Sequence, residues 1–431
     1  MRKIVAISFL TVFCLFTSAT ISNAQFWKKL FGKEEPKSNK PAPKKDNKPI
    51  KQAPVEKKQA APEYPATQMK AVYRVDVLLP LYLNTLVKDG KAVSKKSPEY
   101  AMGAINFYEG ISIAAEAMNK QHLKLEINIH DITEANEKPE ILIKNKKLDS
   151  TDLIIAYVQS NDIPELAAFA KKKKINFVSA LSPADADTKD NPYFILIQST
   201  LNTHLNQLVS FASNKYSKNP KFILYSKNTG GEKEAYQQIK TAIETDKNTT
   251  REIDCSQFNL TAESLAKHFD STKVNVLFVS TLDIELTEKI LNTLAAMPSS
   301  YHFEIFGMPS WKYLKGLTQS SAYMKLSIHY TTPFYYDPTT APGKYVNTEY
   351  GLTYGGEPSE FVYRGYESMY WLCHLLTQYG TIFNTRIKDV SAAPFTRFEI
   401  KNTYSEDNDF LYLENNKLYI LHYQNGGYVV E

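Results

Sequence analysis

From residue 72 to residue 306 the chain alternates strand-like and helix-like segments, and this alternation limits the fold more than any other feature. Strand patterns fall at 72–79, 123–129, 153–156, 177–180, 193–197, 222–225, 274–279 and 303–306. Helical patterns fall between them at 100–120, 139–146, 163–172, 203–213, 232–245 and 284–296. In the first of these helices Ile105, Tyr108, Ile111, Ala115 and Met118 share one face, the spacing expected of a 3.6-residue period. Alternation at this pace predicts an α/β protein whose parallel sheets carry helices on both faces. About 360 residues exceed one comfortable core, so two lobes are expected. After Arg397 the pattern changes to short, Tyr-rich strands, with Asn415-Asn416 and Gly426-Gly427 at turn positions.

The first 70 residues are of a different kind. Arg2 and Lys3 precede an apolar run over 4–16, and Ser22 and Ala24 place small residues before Gln25. This is the pattern of a secretory signal over 1–24, and it implies export to the periplasm. The run is too short for a membrane span of ~20 residues. Cys14 follows bulky Phe13 and lies inside the run, which argues against a lipid-anchored cysteine. Residues 25–70 hold 12 Lys against 5 Asp and Glu. Rich in Pro and poor in hydrophobes, they read as a disordered Lys/Pro-rich linker that cannot offset the entropy of ordering. Phe26, Trp27, Leu30 and Phe31 beside Lys28 and Lys29 could touch an anionic membrane surface. The formal charge of +5 comes from this tail, and residues 71–431 are net acidic. A nucleic-acid partner needs a basic face on the fold itself and is not expected. Of three cysteines, Cys255 and Cys373 remain after the signal; a disulfide scaffold is excluded.

Catalytic signatures are missing. No G-x-S-x-G, G-x-x-x-x-G-K-[ST], H-E-x-x-H, C-x-x-C or G-x-G-x-x-G is present. The eight histidines are scattered, and none lies at ligand spacing from His130, so neither a metal site nor a cofactor is expected. The chain reads as a binding or scaffolding protein and not as an enzyme.

The order of elements resembles the type I periplasmic binding proteins of the branched-chain amino-acid transport family, over roughly 72–431. Val75 to Leu81 is similar to that family's opening strand. Glu109-Gly110, Ala114, Ala115 and Asn119 resemble its first helix, and Leu125 to Asp131 its second strand. Asp152 to Ser160 resembles the strand entering a Gly-Pro-x-x-Ser turn, and Ile175 to Ser179 the strand that follows. Tyr345 to Leu376, with Phe361-Val362-Tyr363-Arg364-Gly365-Tyr366, resembles its returning helices. The resemblance implies two doubly wound, Rossmann-like lobes joined by a three-crossover hinge. Lobe one would be 71–200 and 332–390, lobe two 201–331, and strands over 391–431 would return across the hinge. A ligand would sit outside the carboxyl ends of the strands.

The implied contacts are Tyr82, Gln159, Ser160, Ser179, Ser182, Asn228, Thr229, Met308 and Trp311. Ser160 also suits a plain N-cap of the helix at 163–172. Several positions depart from the family. Its Gly-Pro is Ala156-Tyr157 here, its lobe-two Tyr is absent from 226–231, and Gly307 to Trp311 offers no carboxylate for an ammonium. A buried ammonium without a counter-charge costs several kcal/mol. Two readings follow. One is an exported solute-binding protein of the amino-acid ABC transporter type with a permease partner. The other is a ligand-free cell-envelope scaffold or regulator working with peptidoglycan-associated proteins. Processing is the first test: intact-mass analysis of the exported protein should show a chain beginning at Gln25, and an acylated Cys14 terminus would refute the signal assignment.

Overall fold

The computed structural model describes residues 62–94, 97–226, 230–245, 250–319, 321–388 and 393–431. The signal segment, Cys14, the aromatic–lysine cluster at 26–31, the linker up to 61, Asn228 and Thr229 lie outside the described residues.

Lobe one begins with β1 (Tyr73–Leu79), a small β2 (Val87–Lys88) and β3 (Lys91–Ala92) hairpin, β4 (Leu125–Asp131), β5 (Leu153–Ala156), β6 (Asn176–Ser179) and β7 (Phe194–Leu196). Lobe two follows with β8 (Lys221–Tyr225), β9 (Thr250–Asp254), β10 (Val274–Val279), β11 (His302–Phe306) and β12 (Ser327–Thr332). The C-terminal strands are β13 (Ile400–Tyr404), β14 (Phe410–Asn415), β15 (Tyr419–Gln424) and β16 (Gly427–Val430). They divide between two seven-stranded sheets, ordered β13-β14-β7-β6-β5-β1-β4 and β16-β15-β12-β11-β10-β8-β9. Every neighbouring pair from β14 to β4, and from β12 to β9, is parallel. The C-terminal edges, β13–β14, β12–β15 and β15–β16, are antiparallel. This is the doubly wound α/β architecture that the alternation implies. The polar edge strand β9 is absent from the sequence reading, because Thr250–Asp254 has one buried residue and no apolar run.

Helices cover both faces of the lobe-one sheet, giving it two apolar clusters around Val75, Val77, Phe107 and Leu372, and around Leu78, Ile154, Phe177 and Leu196. The lobe-two core gathers Leu224, Phe278, Ile305 and Trp311. Within lobe one the helices Glu99–Lys120 and Glu360–Tyr379 cross at glycines. A Cβ on Gly110 would stand 2.0 Å from the Val362 carbonyl oxygen, and one on Gly365 2.0 Å from that of Phe107. Backbone-to-backbone packing at this crossing fixes where the 360–379 helix starts. Cys255 and Cys373 are buried free thiols.

The chain passes between the sheets three times: after β7, after β12 and after β14. The first and third passages are bonded to each other. Glu414 accepts from Thr200 N–H at 2.8 Å, Thr200 Oγ1 at 2.9 Å and Thr203 Oγ1 at 2.6 Å. Ser199 Oγ donates to the Asn415 carbonyl at 2.6 Å, and Asn415 Oδ1 accepts from Lys417 N–H at 3.1 Å. The second passage joins them through Thr331, whose Oγ1 lies 2.7 Å from His204 Nδ1.

The module starts earlier than residue 71. Residues 62–70, read as linker from their composition, run over lobe one. Thr67 Oγ1 donates to the Tyr379 carbonyl at 2.8 Å, Lys70 pairs with Asp152 at 2.6 Å, and Tyr64 meets Tyr193 edge-on. Attachment through the backbone and single side chains leaves no periodic signature.

His204 gives a pH prediction. It is fully buried beside the hinge, and burial pushes its pKa down to about 3. The unfolded chain therefore binds the proton first, near its ordinary value of 6.5. Stability from this site is complete above pH 6.5 and is lost as pH falls toward 3. By about pH 4 the loss should reach roughly 3 kcal/mol. Urea unfolding at both pH values should show His204→Gln losing less stability than the parent over this range. Equal losses would refute the assignment.

Candidate functional site

The carboxyl ends of both sheets face the passages between the lobes, where open α/β sheets place their sites. On the lobe-one side, β1 ends at a loop pinned by Asp131, which accepts from Leu81 N–H at 3.0 Å and Leu83 N–H at 2.8 Å. This holds Tyr82 in the left-handed region, with φ 58°, and its ring packs edge-on against Tyr100. The turns after β5 and β6 approach each other. Ser160 Oγ and Ser182 Oγ are 3.2 Å apart, and Ser179 Oγ donates to the Ser182 carbonyl at 3.0 Å. Ser182 Oγ also accepts from Ala184 N–H. Gln159 is exposed at the start of the first turn. The structure thus brings together Ser160, Ser179 and Ser182. Tyr157 is buried behind them against Phe107 and Phe361, and burial raises its hydroxyl pKa.

In lobe two the 3-10 turn Pro309–Tyr313 follows β11. Met308 and Trp311, expected as cleft contacts, are instead fully buried members of the lobe-two core. Gly307 provides the reason: its missing Cβ leaves room for the Trp311 indole, which a Cβ would meet at 2.2 Å. The ring folds back over Gly307 and packs in the lobe-two core. The next two residues reach across in its place. Lys312 Nζ bonds Glu360 Oε2 at 2.5 Å, and Tyr313 Oη donates to Glu360 Oε1 at 2.7 Å. Glu360 begins the returning helix Glu360–Tyr379 of lobe one, so an ion pair and a phenol hydrogen bond join the lobes.

The pair is largely enclosed, since the Lys312 and Glu360 side chains keep 18% and 25% of their exposure. Burial holds the Lys312 pKa below its ordinary value, working against Glu360. Burial alone would raise that of Glu360, but Lys312 and Arg364 outweigh it and hold the carboxyl below the usual range. The Tyr313 hydroxyl is pushed well up by burial and by the same carboxylate. One helical turn further, Arg364 is buried. Its Nη2 donates to the Ala180 carbonyl at 3.1 Å and to Gln198 Oε1 at 2.9 Å, and its guanidinium lies 3.9 Å from the centre of the Phe334 ring. Arg364 Nε has no hydrogen-bond partner among the described residues.

The sequence reading missed Lys312, Tyr313, Glu360 and Arg364. It looked for an acid after β11, and the structure supplies one from the opposite lobe, with a lysine where the acid was sought. The signal that could have located them is a charged residue at the start of a returning helix, spaced i, i+4 from an arginine. A shallow depression of about 560 Å³ lies on lobe two, lined by Thr261, Glu285, Glu288 and Asn292. It is remote from these groups.

No protein-family profile matches the chain, and no curated protein matches it in sequence. Solved structures do match in shape. A branched-chain amino acid ABC transporter protein from Rhodospirillum rubrum is 12% identical with a TM-score of 0.60, over 84% of this chain and 100% of that one. A branched-chain amino acid transporter substrate-binding protein from Streptococcus pneumoniae, in complex with isoleucine, is 15% identical with a TM-score of 0.50, over 84% and 99%. A solute-binding protein from R. palustris, in complex with benzoate, is 14% identical with a TM-score of 0.50, over 84% and 95%. At such identities the likeness shows the fold: this chain has the type I periplasmic-binding-protein fold. Among the described residues no helix is long and apolar enough to cross a membrane.

The interlobe pair makes a prediction about shape. Glu360→Gln leaves Lys312 enclosed without a counter-charge, at a cost of up to about 3 kcal/mol. The lobes should part, and small-angle scattering should show a larger radius of gyration for Glu360→Gln and for Lys312→Met. The double variant should regain part of the stability lost by either alone. Unchanged scattering in both single variants would show that the pair does not hold the lobes.

Proposed function

We propose that this chain is an exported, periplasmic solute-binding protein of the amino-acid ABC transporter type, taking a small carboxylate-bearing ligand between its lobes and delivering it to a membrane permease. The observation that carries the reading is the Lys312–Glu360 pair. A zwitterion can replace each member's partner: its ammonium meets Glu360, and its carboxylate meets Lys312 with the hydroxyls of Ser160 and Ser182. Ser179 braces the turn, Arg364 Nε is a spare donor, and Tyr82 and Tyr157 supply aromatic surface. Ligand pockets combine such apolar walls with a few polar anchors. Gln159, exposed at the start of its turn, and Asn228 and Thr229, which follow β8 in sequence, remain further proposed contacts. The isoleucine and benzoate held by the two similar proteins are both carboxylates, which supports this class of solute. Closure around the ligand would be a hinge motion about the three passages.

The alternative, a ligand-free envelope scaffold, is not favoured by the two similar proteins, each of which holds a small carboxylate, and it becomes an outcome of the test.

A thermal-shift and calorimetric screen against L-amino acids, aromatic carboxylates, peptides and muropeptides separates the two. A true ligand at 100 times its Kd should add about 2.7 kcal/mol of stability. For an amino acid, Glu360→Gln should weaken binding at least tenfold, and Ser160→Ala roughly 5- to 100-fold. Binding of a carboxylate without an ammonium should tolerate Glu360→Gln. If no solute shifts the parent and both variants are silent, the solute-binding reading fails and the scaffold reading stands.

A further inference from the structure

We propose that Glu304, His329 and His422 form a binding site for one divalent transition-metal ion of the zinc class. The site follows from strand register. Glu304 on β11 lies opposite Ser327 on β12, and His329, two residues further along β12, lies directly opposite His422 on β15. Residues two apart share a face of a sheet, so three strands deliver two imidazoles, a carboxylate and a hydroxyl to one place. Their ligand atoms all lie within 4.8 Å of one another. His329 Nε2 is 2.7 Å from Glu304 Oε2, and Ser327 Oγ is 2.6 Å from Glu304 Oε2 and 2.8 Å from His422 Nε2. Tetrahedral zinc with bonds of ~2.0–2.2 Å holds its ligand atoms roughly 3.3 Å apart. Closing the set to that spacing needs shifts of about an ångström and rotation of the stacked His329 and His422 rings, so that both lone pairs meet one ion, with Ser327 beside the fourth position.

The chemistry of the groups suits such an ion. Burial lowers the His329 pKa and keeps the ring neutral, as a ligand must be. Burial would raise the Glu304 pKa, but bonds from His329 and Ser327 outweigh it and hold the carboxyl ionised. A partner outside the ligand set orients one ring. His422 Nδ1 lies 2.9 Å from Glu431 Oε1, and Glu431 is itself held by Lys215 at 2.7 Å. This places the Nδ1 proton toward Glu431, and Nε2, which meets Ser327 Oγ, would exchange that contact for the metal. The His329 ring is stacked between Phe306 at 4.6 Å and His422 at 4.1 Å. Its Nδ1 has no partner among the described residues, so the ring lacks the outer support that strengthens a metal ligand. Glu304 and His422 keep 19% and 14% side-chain exposure, which gives an ion a way in from solvent. A bound ion would tie the C-terminal return strand β15 to β11 and β12.

The test uses the full chain, stripped with a chelator and titrated with zinc(II) and cobalt(II). One zinc per chain should bind in competition with a chromophoric chelator, and the cobalt form should show the intense visible bands of a tetrahedral site. His422→Ala and Glu304→Gln should each weaken zinc at least about tenfold, whereas His268→Ala, at an exposed histidine, should leave it unchanged. Zinc should raise the melting temperature of the parent and not of His422→Ala. The proposal is overturned if the folded parent takes up no stoichiometric zinc, or if its cobalt spectrum is weak and octahedral. It is also overturned if a folded His422→Ala/Glu304→Gln double variant binds zinc as the parent does.

Discussion

Both oxygens of one carboxylate, Glu360, are held by the opposite lobe, and this contact ties the two halves together away from the three passages. Each lobe has its own sheet and its own core, so nothing within either fixes the angle between them. The three passages limit that angle without setting it. Glu360 can serve as the anchor because its position is itself fixed. Gly110 and Gly365 let two lobe-one helices touch backbone to backbone, and Arg364, one turn on, is bonded to Ala180 and Gln198 at the strand ends. A charge on a rigid mount can be read by the other lobe as a fixed point.

An exposed ion pair contributes little, but this one is different in kind. The charges are mostly enclosed, so removing either leaves the other poorly solvated. The pair closes the cleft at moderate gain and penalises any state in which only one charge is compensated. A neutral apolar solute would leave both charges bare or still paired to each other. A dipolar solute can replace both partners at once. In the proposed solute-binding reading, selectivity for such a ligand would follow from desolvation before any shape complementarity is considered.

The fold was legible because parallel sheets buried on both faces need apolar strands at regular intervals, and β1, β5, β6 and β10 show them. The returning helices were legible from Phe361 to Tyr366. Of the candidate site, only the placement of some residues at strand ends was legible. Ser160, Ser179 and Ser182 sit at strand ends, where topology alone places functional groups. Met308 and Trp311 misled because the consequence of Gly307 for the adjacent indole is a three-dimensional fact: the same turn could have presented its tryptophan to the cleft and buried its lysine stem. Glu360 lies far along the chain from Lys312's strand and belongs to the other lobe, so no local pattern joins them. His329 and His422 are likewise joined only by the antiparallel register of β12 with β15.

A physical distinction separates the polar groups that build this molecule from those that can act. Asp131, Glu232, Glu367 and Glu414 are buried carboxylates, and each accepts from backbone N–H groups. Asp131 takes Leu81 and Leu83, Glu232 takes Leu282 and Asp283, Glu367 takes Phe395 and Thr396, and Glu414 takes Thr200. Backbone donors cannot move without unfolding a turn, and leaving them unpaired would cost the full desolvation of each. These acids are therefore committed to the fold. Glu360 differs: its partners are a lysine and a tyrosine side chain, each able to rotate away. Ser160 and Ser182 likewise share a side-chain contact, although Ser182 also steadies its own turn. Groups satisfied only by side chains can exchange those partners for a ligand's atoms at little structural cost, and Glu360, Ser160 and the Glu304 cluster are of this kind.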